Sequence, residues 1–134
     1  MNSLPSRSPN SSTSETMKQI TEWLNDNEIK QVQCLISDHT GVARGKVLPV
    51  DKFISEQGCR LGETILLQSI VGGYAAGDVL WSLSDPRDVD MLLKPDASAC
   101  YLLPWSDEKT AMIIHDCYTS QNNAVTFSPR NVLK

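Results

Sequence analysis

The chain has 134 residues, 40% of them hydrophobic and 21% charged, a composition typical of one globular domain. Its net charge of −4, with no run of lysines or arginines, argues against nucleic acid or an anionic membrane as the main partner. No window approaches the ~18 consecutive apolar residues of a membrane span, and no signal peptide opens the chain, so we expect a cytoplasmic protein.

Residues 1–15 are rich in serine, proline and asparagine and are predicted to form a disordered tail. The four cysteines lie far apart, so neither a disulfide framework nor a metal site is expected. Three of them fall in apolar runs, which is typical of buried, inert thiols. His39 and His115 stand alone in the sequence and are predicted to be surface histidines or histidines with satisfied hydrogen bonds, rather than general bases.

A helix is the first predicted element. It begins at Ser14 or Thr16, because apolar residues then recur every three or four positions as far as Leu24. Residues 29–36 alternate between apolar and polar side chains and predict a half-buried strand. Residues 46–50 predict its partner strand.

A short helix capped by Asp51 and stopped by Gly58 is predicted next. Residues 64–67 have strand character, whereas residues 69–77 are glycine-rich and predict a mobile loop. Three further strands are then predicted, over residues 89–93, 99–103 and 111–115. Short strands joined by polar turns favour an antiparallel or mixed sheet in an α+β domain over a doubly wound sheet.

The last residues carry the signals of a helix start, with Ser128 in the cap position and Pro129 in the first turn. Short isolated helices are marginal in water, so we expect this helix to continue in a longer protein. The alternative is a frayed tail that carries Ser-Pro by chance.

The strongest candidate for a functional site is the charged turn of residues 37–46, between the first two predicted strands. Asp38 ends the first strand, and Arg44 and Lys46 follow it. In one interpretation this is an ordinary hairpin turn, in which Asp38 bonds backbone amides and Gly41 takes a positive φ. In the other, Asp38 presents an ionised carboxylate that binds ammonium or a protonated amine and helps to remove its proton.

Five sequence elements resemble, in their order and spacing, the N-terminal domain of glutamine synthetases. They are Asp38-x-x-Gly41-x-x-Arg44-x-Lys46 with Pro49, Lys94-Pro95-Asp96-Ala97-Ser98, Pro104-Trp105, Asp116-Cys117-Tyr118 and Ser128-Pro129-Arg130-x-x-Leu133. The resemblance runs from about residue 20 to residue 134. It is closer to the γ-glutamylpolyamine synthetase branch than to housekeeping glutamine synthetase.

The resemblance implies a β-grasp (ubiquitin-like) fold over residues 16–127, with a mixed sheet packed on a helix, and the start of a catalytic domain at residues 128–134. In that family the catalytic domain carries the metal-binding glutamates and the ATP and glutamate sites. The full-length protein is thus expected to be an ATP-dependent carbon–nitrogen ligase of nitrogen metabolism that uses Mg²⁺ or Mn²⁺. This chain alone is expected to bind no cofactor and to be inactive.

The resemblance also implies a homo-oligomer, in which each N-terminal domain contacts the catalytic domains of its own and an adjacent subunit. At that junction Asp38 matches the position that receives ammonium or an amine for attack on γ-glutamyl phosphate. Arg44 is a second candidate for substrate binding, although it and Lys46 can equally serve to pin the turn. Residues 72–74 are similar to a Gly-Gly-aromatic segment near the family's site, but the residues before them depart from the family's pattern, so the resemblance assigns no role to Tyr74.

Two alternatives to a ligase remain open. A free-standing β-grasp module would bind a partner protein through a sheet edge or the glycine-rich loop, without catalysis. A purely structural domain would use Asp38 only to form its turn. A reading frame that continues past residue 134 into acidic metal-binding motifs would favour the ligase, whereas a stop codon would favour the module.

Overall fold

The computed structural model describes residues 13–85 and 87–134. Most of the disordered tail predicted for residues 1–15 therefore lies outside the described residues, and residues 13–15 belong to the first helix. No helix within the two described ranges is long and apolar enough to cross a lipid bilayer.

Within these ranges, five strands form one mixed sheet in the order β2-β1-β5-β4-β3. The strands are β1 (Gln31–Ser37), β2 (Ala43–Pro49), β3 (Cys59–Gly62), β4 (Asp90–Leu102) and β5 (Thr110–Tyr118). The helices are α1 (Thr13–Asp26), α2 (Val50–Glu56), α3 (Gly77–Leu83) and α4 (Pro129–Val132), with a 3₁₀ helix over Glu63–Leu67. Strands β1 and β5 pair in parallel, and the other neighbours pair antiparallel. This arrangement confirms the predicted α+β class and is compatible with a β-grasp fold.

Helix α1 covers one face of the sheet and packs against β4. Ile20 and Leu24, one turn apart on its apolar side, are fully buried. Strand β1 alternates as predicted, with Val32, Cys34 and Ile36 buried and the residues between them half-buried. Full burial of an isoleucine or leucine side chain contributes about 1.5–3 kcal/mol to stability, so this layer holds β1 firmly in place.

Helix α2 begins at Val50 without a side-chain cap, rather than at the predicted cap Asp51. It ends before Gly58, as predicted. Gly58 has φ +133°, and a Cβ atom there would lie 2.2 Å from the carbonyl oxygen of Leu93. Glycine is therefore required at this position for the chain to enter β3 alongside β4.

The 3₁₀ helix replaces the strand predicted over residues 64–67. The Asp88 carboxylate accepts hydrogen bonds from the N–H (3.2 Å) and the hydroxyl (2.7 Å) of Thr64. In the same turn, the carboxylate of Glu63 accepts a hydrogen bond from the hydroxyl of Ser84, just after α3. These contacts join residues 24 and 21 positions apart, so local composition did not predict the 3₁₀ helix, and α3 was not predicted either.

The two strands predicted on either side of residues 94–98 are one continuous strand, β4. Its pairing with β5 shifts register between Pro95 and Cys100. Within this irregularity, the Asp96 carboxylate accepts hydrogen bonds from the N–H and the hydroxyl of Ser98, at 2.9 and 2.6 Å. The polar segment of residues 94–98, which the sequence predicts to separate two strands, is therefore a bulge inside one longer strand.

His115, on β5, is a buried histidine with one unpaired ring nitrogen. Its Nδ1 lies 2.9 Å from the carbonyl oxygen of Ile113, whereas its Nε2 has no hydrogen-bond partner in the described part of the chain. The ring of Phe53 packs edge-on against it, with 6.0 Å between centroids. Burial lowers the pKa of His115 to about 4, although the Ile113 carbonyl and the Asp116 carboxylate partly oppose that effect.

This histidine predicts a specific sensitivity to acid. An unfolded histidine binds a proton near pH 6.5, whereas native His115 stays neutral down to about pH 4. The free energy of unfolding should therefore fall as the pH falls from 6.5 to 4, by up to about 1.4 kcal/mol per pH unit. We expect urea unfolding of His115→Leu to show a flatter dependence over this range.

The control is His39→Gln, which removes an exposed histidine and should retain the wild-type slope. Equal slopes for wild type and His115→Leu would show that His115 does not cause the acid sensitivity.

Candidate functional site

The turn between β1 and β2 is the hairpin turn that the sequence predicts. The N–H of Asp38 donates to the carbonyl oxygen of Val42 at 3.1 Å, and the N–H of Gly41 donates to that of Asp38 at 3.2 Å. Gly41 has φ +78°, and a Cβ atom there would meet nothing within 4 Å. The backbone conformation alone therefore favours glycine at this position.

The carboxylate of Asp38 is buried in this turn and accepts four hydrogen bonds. Its Oδ1 accepts from the N–H of Thr40 (2.8 Å), the hydroxyl of Thr40 (2.7 Å) and the N–H of Val42 (3.0 Å). Its Oδ2 accepts from Nε of Arg44 at 2.8 Å. The Asp38 side chain is 0% exposed, so these donors replace water around the negative charge.

The same contacts determine the charge state of Asp38. Burial raises the pKa of its carboxyl group, but the hydrogen bonds from Arg44, Thr40 and Val42 outweigh burial and lower the pKa to about 2. Asp38 is therefore ionised at neutral pH. With so low a pKa it is a weak proton acceptor, and its charge is better suited to attracting a cation.

A second loop, residues 68–74, lies beside this turn and is called the glycine loop below. Gln68 and Tyr74 pair across its two ends. The N–H of Ser69 donates to the carbonyl oxygen of Gly73 at 2.7 Å, and the N–H of Gly73 donates to Oγ of Ser69 at 3.1 Å. The segment predicted as an irregular loop is thus closed by its own hydrogen bonds.

Arg44 connects the turn to the glycine loop. While its Nε bonds Asp38, its Nη2 donates to the carbonyl oxygen of Ser69 at 3.0 Å. A groove of about 540 Å³ lies beside these two loops. It is lined by His39, Thr40, Leu67, Gln68, Ser69, Tyr74, Ala75 and Leu83. Asp38 does not line this groove, but its carboxylate bonds Thr40, which does.

The structure thus brings two of the sequence candidates together, Asp38 and Arg44, and places Tyr74 in the neighbouring groove. Lys46 is exposed on β2. Sequence reasoning missed Ser69, because it lies 25 positions from its partner Arg44 and no local pattern links the two. Among residues 13–85 and 87–134, no cluster of three or more histidine, cysteine, aspartate or glutamate side chains could hold a metal ion.

A second charged cluster joins three of the sequence elements that carry the family resemblance. Helix α4 begins at Pro129, as predicted, and places Arg130 between two carboxylates. Its Nη2 bonds Asp96 in the β4 bulge, and its Nε bonds Asp116 on β5 at 3.0 Å. The Nζ of Lys134 also bonds Asp116. These ion pairs connect α4 and Lys134 to strands β4 and β5.

A scan against models of protein families finds no match. The chain is 28% identical over 122 residues to a glutamine synthetase of Methanococcus voltae, covering 89% of this chain and 26% of that protein. It is 28% identical over 131 residues to a glutamate–isopropylamine ligase of a Pseudomonas species, covering 90% and 27%. It is also 27% identical over 133 residues to lengsin of Rattus norvegicus, covering 90% and 21%.

These similarities confirm the resemblance to the N-terminal domain of the glutamine synthetase family. The chain spans about a quarter of the length of these curated relatives. The names glutamine synthetase and glutamate–isopropylamine ligase are names of ligases, so the similarity is, at a coarse level, to a family of ligases.

The four hydrogen bonds of Asp38 predict that this residue stabilises the chain, whatever else it does. We expect Asp38→Ala to lower the free energy of unfolding by about 2 kcal/mol, because hydrogen bonds to a charged group are lost and Arg44 keeps a half-buried, unpaired charge. Urea unfolding at neutral pH measures this loss.

Asp85→Ala is a matched control, since it also breaks an aspartate–arginine pair, formed with Arg87 at an exposed position. Its effect should be clearly smaller, because exposed ion pairs contribute little. Equal losses for the two variants would contradict a special role for the buried carboxylate.

Proposed function

We propose that this chain is the N-terminal part of an ATP-dependent ligase that joins glutamate to ammonium or to an amine. The observation that carries the proposal is the similarity over about 90% of the chain to proteins named glutamine synthetase and glutamate–isopropylamine ligase. Both names describe the ligation of glutamate to a nitrogen compound. In this proposal the protein is a homo-oligomer, and a catalytic domain supplies the sites for ATP, for Mg²⁺ or Mn²⁺ and for glutamate.

Asp38 completes the active site of a neighbouring subunit in this proposal. Its carboxylate is ionised, and it lies on a turn that the sheet holds in place. In the described part of the chain, Oδ2 accepts a single hydrogen bond, whereas Oδ1 accepts three. The side chain is nevertheless 0% exposed and does not line the groove, so the proposal assigns its negative charge an attraction for an ammonium ion in the groove beside Thr40, rather than a direct hydrogen bond.

The proposed reaction assigns Asp38 an electrostatic role. The amine nitrogen attacks the γ-carbonyl carbon of γ-glutamyl phosphate, a C–N bond forms, and the bond from carbon to the phosphate oxygen breaks. The nitrogen must lose a proton to become a nucleophile. A carboxylate with a pKa of about 2 attracts and orients the ammonium ion, and the proton that the nitrogen loses passes to solvent rather than to Asp38.

A second candidate function is a protein-interaction module without catalysis. It is favoured by exposed apolar side chains close together in sequence in the glycine loop and α3: Ile70, Val71, Tyr74, Val79, Trp81 and Leu83. Ile70 and Val71 are 71% and 89% exposed. Exposed apolar patches commonly mark protein contacts, and this one would suit either a neighbouring catalytic domain or an unrelated partner.

The test is to extend the reading frame past residue 134 and to assay the full-length product for glutamate-dependent release of phosphate from ATP. Ammonium and a panel of alkylamines and polyamines serve as nitrogen donors. We expect activity with at least one donor. A stop codon after residue 134, or a full-length protein with no glutamate-dependent turnover, would contradict the ligase and favour the module.

Asp38→Asn in the full-length protein tests the role of the carboxylate. The amide oxygen can still accept the bonds made to Oδ1, whereas the negative charge is lost. We expect kcat/KM for the nitrogen donor to fall about a hundredfold or more, as for loss of a charged group that orients substrate. The control Asp85→Asn removes a half-buried carboxylate whose partner Arg87 is 81% exposed, and it should leave kcat/KM unchanged. Wild-type turnover in a folded Asp38→Asn protein would refute the proposed role.

A further inference from the structure

The guanidinium of Arg44 makes one contact with the Asp38 turn and another with the glycine loop. Its Nε bonds the Asp38 carboxylate at 2.8 Å, and its Nη2 bonds the carbonyl oxygen of Ser69 at 3.0 Å. One contact is to a charged side chain and the other to backbone. Since the guanidinium is planar and rigid, it fixes the distance between these two acceptors.

The direction of the Arg44 side chain is itself fixed by the sheet. Arg44 lies on β2 directly opposite Ile36 on β1, in a ladder that runs from residue 31 to residue 49. The side chain is 19% exposed, so most of its length is held against protein. Arg44 therefore reaches the turn and the glycine loop from a strand that is paired with β1 along its length.

The two loops that Arg44 joins both contribute residues to the groove lining. Thr40 belongs to the turn, whereas Ser69 and Tyr74 belong to the glycine loop. The glycine loop is closed by hydrogen bonds within itself, between Ser69 and Gly73. The bond from Arg44 is what ties this closed loop to the Asp38 turn.

We propose that Arg44 is a positioning residue, which holds the Asp38 carboxylate and the glycine loop at a fixed separation and so sets the geometry in which the nitrogen donor is received. The identity of that ligand as ammonium or an amine rests on the proposed function. The link between the turn and the loop does not, and it can be measured in this chain by itself. Lysine cannot replace Arg44 fully, because a single ammonium group cannot reproduce the fork that spans both acceptors.

The structural part of the proposal is tested by nuclear magnetic resonance on the 134-residue chain. We expect Arg44→Gln to raise the pKa of Asp38 toward its ordinary value and to accelerate hydrogen exchange at the N–H groups of Ser69 and Gly73 by about tenfold. Arg44→Lys keeps a positive charge, so it should largely preserve the low pKa of Asp38 but still accelerate exchange in the loop. This separation distinguishes a bridge from a simple ion pair.

Arg87→Gln is the matched control, because it removes an exposed arginine that pairs with Asp85. It should change neither the Asp38 pKa nor the exchange of the glycine loop. Wild-type exchange at Ser69 and Gly73 in Arg44→Gln would refute the link, whether or not the protein is a ligase.

The functional part is tested in the full-length protein by steady-state kinetics. We expect Arg44→Lys to raise KM for the nitrogen donor by about tenfold while kcat and the KM values for glutamate and ATP stay close to wild type. A parallel change in all these parameters would indicate a general loss of structure and would contradict the proposal, as would an unchanged KM for the donor. Absence of ligase activity in the wild-type protein would refute the proposed function alone, since the exchange measurement decides the link separately.

Discussion

The buried negative charge of Asp38 is the constraint on which the candidate site depends. An ionised carboxylate without water around it is costly unless donors surround it, and here two residues of its own turn and Arg44 provide them. Satisfying this charge fixes the turn between β1 and β2. Because Arg44 also bonds Ser69, the same ion pair is connected to the glycine loop. The turn is thus a structural hairpin that also holds the ionised Asp38 carboxylate in place.

The charged cluster around Arg130 also neutralises largely buried carboxylates, on β4 and β5. Asp96 and Asp116 are separated in sequence, but the β4 bulge and β5 bring them to one guanidinium. The carboxylates of Asp116 and Asp96 raise the pKa of Arg130, and hydrogen bonds from Ser98 and then from Arg130 lower the pKa of Asp96, although burial opposes both effects. Five of the residues through which the chain resembles glutamine synthetases thus form ion pairs within the fold: Asp38, Arg44, Asp96, Asp116 and Arg130.

The periodicity of apolar residues correctly predicted the elements whose buried positions follow from the local sequence. The alternation of β1 and the apolar face of α1 both depend on a single buried layer, and both were predicted. The 3₁₀ helix, the continuity of β4 and the contact of Arg44 with Ser69 depend on partners many positions away or on a bulge, so no local pattern could predict them. The Asp38 turn was predictable from its Asp and Gly residues. Its burial was not, because the enclosing groups include the side chain of Arg44 on the following strand.

The most direct test of this account is a double-mutant cycle between Asp38 and Arg44, with the Asp85–Arg87 pair as an exposed reference. The free energy of unfolding is measured for wild type, Asp38→Ala, Arg44→Ala and the double variant. A buried ion pair that organises its surroundings predicts a coupling energy above about 1 kcal/mol, clearly larger than that of the reference pair. Additive effects of the two substitutions would contradict the account, because the turn and the loop would then not depend on this interaction.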